Sequence, residues 1–125
     1  MKFFIIAGAI NALLAVALGA FGAHMLEGRV EERYLATWQT AVQYQMFHAI
    51  GLMVVGILMS SSLIGHLGSL NWAGYLMLAG IIIFSGSLYV LSLTGISILG
   101  AVTPIGGVAF IAGWIMLIIA ASKAL

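Results

Sequence analysis

Apolar residues run along this chain in four long blocks separated by short polar stretches: from about Phe3 to Ala23, Ala41 to Ser61, Trp72 to Leu93 and Pro104 to Ala121. Each block is long enough to cross a hydrocarbon core of roughly 30 Å at about 1.5 Å per helical residue. Inside lipid the backbone has no water to bond, so each block is predicted to be a helix. The short connections make neighbouring helices antiparallel, giving an all-α, up-down-up-down bundle with both termini on one side of the membrane. The whole chain, residues 1–125, reads as a single four-helix transmembrane domain.

The connections refine the picture. Glu27, Arg29, Glu31, Glu32 and Arg33 crowd the first one and mark it as water-exposed. The helical spacing of Tyr34, Trp38 and Ala41 predicts that the second helix begins before the membrane, with Glu31 and Glu32 at the positive end of its dipole and Tyr34 and Trp38 in an interfacial aromatic belt. The second connection, Ser60 to Asn71, is rich in serine and glycine, with Asn71 as the expected N-cap. The third, Thr94 to Thr103, ends in Thr103-Pro104, which reads as a helix start with threonine as cap and proline in the first turn. Lys2, an apolar stretch and Ala20-Phe21-Gly22 resemble a secretory signal, but the stretch exceeds the 7 to 15 or so residues of a signal core, and a retained first helix is expected.

Composition agrees with a membrane setting. Charged residues make up 6% and hydrophobic residues 64% of the chain, and none of Asp, Glu, Lys or Arg occurs between positions 34 and 122. A net charge of +1 leaves no polybasic surface for nucleic acid. With no cysteine, disulfides and thiolate metal sites are excluded. Orientation is balanced, because Lys2 and Lys123 flank one side and Arg29 and Arg33 the other; the three glutamates beside the arginines tip the reading toward cytoplasmic termini. The first and third blocks share no motif, which argues against an inverted-repeat transporter.

Small residues set the expected packing. Gly8, Ala12, Ala15, Gly19 and Gly22 form one stripe on the first helix, and Gly106, Ala109 and Gly113 another on the fourth. Such stripes admit a close helix neighbour, and they are read as packing surfaces through which the chain forms a homo-oligomer.

The polar side chains gather on one membrane face. The end of the first helix, the start of the second, the end of the third and the start of the fourth bring together His24, Gln39, Gln43, Tyr44, Gln45 and His48 with Ser85, Ser87, Tyr89, Ser92, Thr94 and Thr103; the opposite half contributes little besides Asn11. Polar groups at depth need partners. A network from His48 and Gln45 to Ser85 or Tyr89 is therefore expected, with His48 neutral and bonded to the third helix. An ionisable residue at that depth is a functional candidate, though a neutral histidine that only joins helices competes with that reading. Three or four His, Cys or carboxylate ligands do not converge, so no metal is expected. No intramembrane carboxylate exists for proton-coupled cation export, and a serine-histidine pair without an orienting acid is thin support for catalysis.

Taken in order, Gly19-Ala20-Phe21-Gly22-Ala23-His24, Tyr44-Gln45, His48-Ala49, Phe84-Ser85-Gly86-Ser87-Leu88-Tyr89, Thr94-Gly95, Thr103-Pro104-Ile105-Gly106-Gly107 and Gly113-Trp114 form a string spanning essentially the whole chain. It resembles the bacterial membrane family called domain of unknown function 423, which has a small vertebrate transmembrane relative. The resemblance implies a small four-helix integral membrane protein and no particular activity.

The function expected from the sequence is therefore non-enzymatic and needs no cofactor. A multi-pass protein of the bacterial plasma membrane would use a pocket around His24, Tyr44, Gln45, His48, Ser85, Ser87, Tyr89 and Thr103 to bind a small molecule or membrane lipid, or to pass a solute. The rival is a structural or accessory subunit whose polar cluster only holds helices together.

Overall fold

The computed structural model describes residues 1–124. Among them are four helices long and apolar enough to cross a membrane, Lys2–Leu26, Glu32–Leu58, Gly68–Thr94 and Leu99–Ala124. In chain order the elements are α1 (Lys2–Phe21), which ends in a π turn at Gly22–Leu26; α2 (Glu32–Leu58); α3 (Gly68–Gly80); a second π turn at Ile81–Ser85; α4 (Gly86–Thr94); and α5 (Leu99–Ala124). Together α3, the π turn and α4 make the third span. The chain is an up-down-up-down bundle.

The second helix begins before the membrane, as its spacing predicted, and runs unbroken from Glu32 with Glu31 at its cap. Two other boundaries differ from the sequence reading, each for a local reason. Leu67, not Asn71, occupies the cap of α3, and Asn71 lies within the helix. Thr103-Pro104 is not a helix start either: α5 begins at Leu99 and holds Pro104 in its interior. The tight bonds Leu99 N–H to Ile96 O, Gly100 N–H to Ser97 O and Ala101 N–H to Ile98 O (3.2, 3.0 and 3.0 Å) open that helix earlier. Pro104 then forgoes only the bond to the Gly100 carbonyl. The preceding helix stops at Gly95, whose φ of 71° lies in the left-handed region that favours glycine.

The core sits toward the end of the bundle that carries the termini. Leu52 and Val55 of α2, Leu70, Ala73 and Met77 of α3, and Phe110 and Ala120 of α5 are buried against one another, and Phe4 of α1 reaches in beside them. In lipid such packing gains from close contact and not from leaving water. Close contact needs small residues: a Cβ at Gly74 would lie 2.5 Å from the Phe4 ring.

The small-residue stripes are used inside the chain. A Cβ at Gly8 would lie 2.7 Å from the Ala49 carbonyl oxygen, one at Gly19 3.2 Å from Val42, and one at Gly22 2.5 Å from Trp38. Ala15 is fully buried and Ala12 partly so. This face of α1 is therefore the seat of α2, which corrects the expectation that it receives a second copy. On α5, Gly106 lies against the backbone of Phe84, a Cβ at Gly113 would lie 3.0 Å from the Met77 side chain, and Ala109 is half-buried between them.

Candidate functional site

The π turn at Ile81–Ser85 organises the middle of the molecule. A run of three β-branched residues, Ile81-Ile82-Ile83, crowds the helical backbone here, and the turn widens to i→i+5 bonding, a feature frequent at functional sites. It turns Ser85 toward α2, where its hydroxyl donates to the Ala41 carbonyl at 2.9 Å. It also presses Phe84 onto Gly106, where a side chain would collide with the Phe84 backbone.

The predicted polar face resolves into separate clasps. In the first, Tyr89 donates to Gln45 Oε1 at 2.6 Å, Gln45 Nε2 donates to Asn11 Oδ1 at 3.1 Å, and Asn11 Nδ2 donates to the Ala7 carbonyl at 2.8 Å. This chain of bonds ties α4, α2 and α1 together, so Asn11 belongs with the polar residues from which the sequence reading had set it apart. Beside it Trp38 is buried, its indole N–H donating to the Leu18 carbonyl at 2.8 Å and its ring 4.7 Å from Tyr89. Trp38 is thus a core residue and not part of an interfacial belt. In a second clasp Ser87 and Thr103 share a hydrogen bond of 2.6 Å between α4 and α5. His24 stands apart, exposed in the π turn that ends α1.

His48 makes a different contact from the one expected. Its partner is not on the third span. Trp114 of α5 donates its indole N–H to His48 Nε2 at 3.0 Å, and His48 Nδ1 lies 2.8 Å from the Tyr44 carbonyl oxygen. A carbonyl only accepts and an indole N–H only donates, so the network assigns the proton to Nδ1 and the lone pair to Nε2, a neutral tautomer. The imidazole also stacks on Phe110, centroids 3.6 Å apart and planes at 11°.

These contacts line a groove between α2 and α5. Both helices pack on the third span, and the space between them forms a cleft of about 550 Å3 bounded by Gln43, Tyr44, Phe47, His48, Phe84, Gly107, Phe110, Ile111 and Trp114. Tyr44 and Phe47 on one rim and Ile111 on the other are exposed within membrane-spanning helices, so the groove opens sideways to lipid. Of the residues predicted to form the pocket, only Tyr44 and His48 reach it. Gln45, Ser85, Ser87, Tyr89 and Thr103 are committed to the clasps. Sequence reasoning missed the aromatic walls because aromatic residues in an apolar block read as core or lipid contacts; the one available signal was the presence of Phe84 and Trp114 in the family motifs.

Comparison with known proteins follows the same lines. The family model described as Protein of unknown function (DUF423) matches residues 18–107. Over 98% of both chains the sequence is 63% identical to the UPF0382 membrane protein YwdK of Bacillus subtilis (strain 168). It is 55% identical, again over 98% of both chains, to a UPF0382 membrane protein of Staphylococcus aureus (strain bovine RF122 / ET3-1), and 54% identical at the same coverage to one of Staphylococcus epidermidis. No solved structure matches the chain. Four apolar spans and relatives named membrane proteins in two bacterial genera fit the bacterial plasma membrane. With a family model over most of its length and relatives more than half identical from end to end, the chain belongs to the DUF423 family of membrane proteins.

Proposed function

We propose that this protein binds a membrane-dissolved amphiphile in the groove between α2 and α5, without catalysing a reaction. One observation carries the reading: a cleft of about 550 Å3, walled by the rings of Tyr44, Phe47, Phe84, Phe110 and Trp114, lies open to the lipid. That volume is in the range of small-molecule sites, roughly 300 to 1,000 Å3. Flat aromatic walls suit a ring or an acyl chain, and the exposed Tyr44 hydroxyl supplies a polar contact for one end. A non-enzymatic role is supported by the engagement of both His48 nitrogens and by the bond from the Ser85 hydroxyl to the Ala41 carbonyl.

Solute passage has less support. The side chains that would line a polar route, Gln45, Tyr89, Ser85, Ser87 and Thr103, are bonded within the bundle. The same pairing favours a second reading, an accessory subunit whose polar residues serve only to hold its helices in place.

Gly107 separates the two. A Cβ there meets nothing closer than 3.9 Å, the edge of the Phe84 ring, so Gly107→Leu fills the groove while leaving the clasps intact. The protein is purified in native-membrane nanodiscs and its bound small molecules are identified by mass spectrometry. A bilayer component enriched with the wild-type protein and lost from Gly107→Leu is the expected result. Identical profiles for the two proteins leave the accessory reading.

A further inference from the structure

Gln43 lies at the outer edge of the groove, which it borders together with Phe47, and is exposed; its side-chain amide bonds nothing among the described residues, while nearby Thr40 turns back to the Ala36 carbonyl and Gln45 points inward to Asn11. Its depth follows from the register of α1 on α2. The Asn11–Gln45 bond and the seating of Gly19 on Val42 bracket it, placing Gln43 level with the stretch of α1 around Ala15 and Val16, far from the charged residues at either end. Along α2 it is about 16 Å from Glu32. An amide facing hydrocarbon there lacks both its donor and its acceptor partners, at a cost that membrane proteins meet by bonding to another helix.

We propose that the outward face of α2 is the interface of a two-fold homodimer, in which the Gln43 amides of two copies bond each other at the axis. The occupant is argued from symmetry. A carboxamide both donates and accepts, so across a two-fold axis along the membrane normal each copy gives one bond and takes one. Two copies inserted in the same direction present this residue at the same depth. The strip around it is suited to a long contact: Ala36 and Gln39 lie above Gln43, Phe47 and Ile50 below, all exposed and at helical spacing. The glycine stripe of α1, the other surface suited to close approach, is already occupied by α2.

The absence of cysteine makes the test direct. Single cysteines are placed at Gln39, Gln43 and Phe47, and at two exposed positions on other helices, Leu13 and Ile118 (66% and 63% exposed, against 62% for Phe47), and each protein is oxidised in proteoliposomes. Disulfide-linked dimers are expected at 39, 43 and 47 and not at 13 or 118. With the reporter at Gln39, Gln43→Leu lowers the linked fraction by about threefold or more, the worth of interhelical hydrogen bonds in lipid, whereas Gln43→Asn retains most of it. Gly107→Leu, which fills the groove that Gln43 and Phe47 also border, leaves crosslinking unchanged, so failure of the dimer and failure of the groove reading are told apart. The proposal is overturned by equal linkage at all five positions, by none on the α2 face, or by indifference to Gln43→Leu, which would mean that the amide folds back onto its own helix.

Discussion

His48 illustrates how one side chain joins two helices without a charge. It takes a bond from Trp114, gives one to its own helix at Tyr44 and stacks on Phe110. Substituting alanine removes all three contacts and leaves the Trp114 N–H without an acceptor, so His48→Ala is expected to lose about 1 to 3 kcal/mol. His48→Gln retains an acceptor for Trp114 and a donor for Tyr44 but gives up the ring stack, a loss nearer 0.5 to 1.5 kcal/mol. Trp114→Phe should resemble alanine at 48, because it strands the Nε2 lone pair. Thermal unfolding of the purified proteins in one detergent ranks the three; a His48→Gln loss as large as that of His48→Ala would show that the bonds contribute little.

At the scale of the element, adjacent glycines on α5 have opposite roles. Gly106 faces the third span, where a Cβ would run into the Phe84 backbone, while Gly107 faces the groove and open space. Backbone does not yield as a flexible side chain does, so Gly106→Ala must push α5 away from the π turn. The expected cost is about 1 to 3 kcal/mol, and the loss should appear as a lower melting temperature together with a weakened Ser87–Thr103 clasp. Gly107→Ala is expected to be neutral in the same measurement. Equal effects at the two positions would contradict the close seat of Phe84 on α5. Pro104 belongs to the same element. Thr103-Pro104 carries the signature of a helix start, yet Thr103 turns its hydroxyl to Ser87 and the Leu99 carbonyl instead of capping. The turn at Ile96–Leu99 had already begun the helix.

For the whole molecule, four spans return the chain to the side from which it started. Reporter fusions at the two ends should therefore report the same compartment, and a fusion within the charged Glu27–Arg33 connection the opposite one. Opposite compartments for the two ends would remove a span from the bundle. The bundle itself is held by a division of labour. Near the termini it relies on apolar packing of Phe4, Leu52, Leu70, Met77 and Phe110. Deeper in, it relies on bonds between helices, Tyr89–Gln45–Asn11 and Ser85 to the Ala41 carbonyl.

Much of this architecture was determined by the sequence alone, because lipid imposes a simple rule. A chain without charge from Tyr34 to Ser122 can satisfy its backbone there only by forming helices, and short connections leave them antiparallel. The family was legible too, in motifs such as Phe84-Ser85-Gly86-Ser87-Leu88-Tyr89. Span counting also brought Gln45 and Tyr89 to compatible depths. Rotation about each helix axis, by contrast, was decided only by the tertiary structure. Wheel reasoning brought Ser85 and Tyr89 to α2, where they bond, but it did not foresee the π turn at Ile81–Ser85, which alters the regular helical phase as Phe84 meets α5. The tertiary packing also left His48 to Trp114, committed the α1 stripe to α2, and opened between α2 and α5 an aromatic groove whose residues are scattered over three helices. In a uniformly apolar segment no contrast between wet and dry faces marks which side turns inward. That choice is made by the fit of glycine to ring and of donor to acceptor across the bundle.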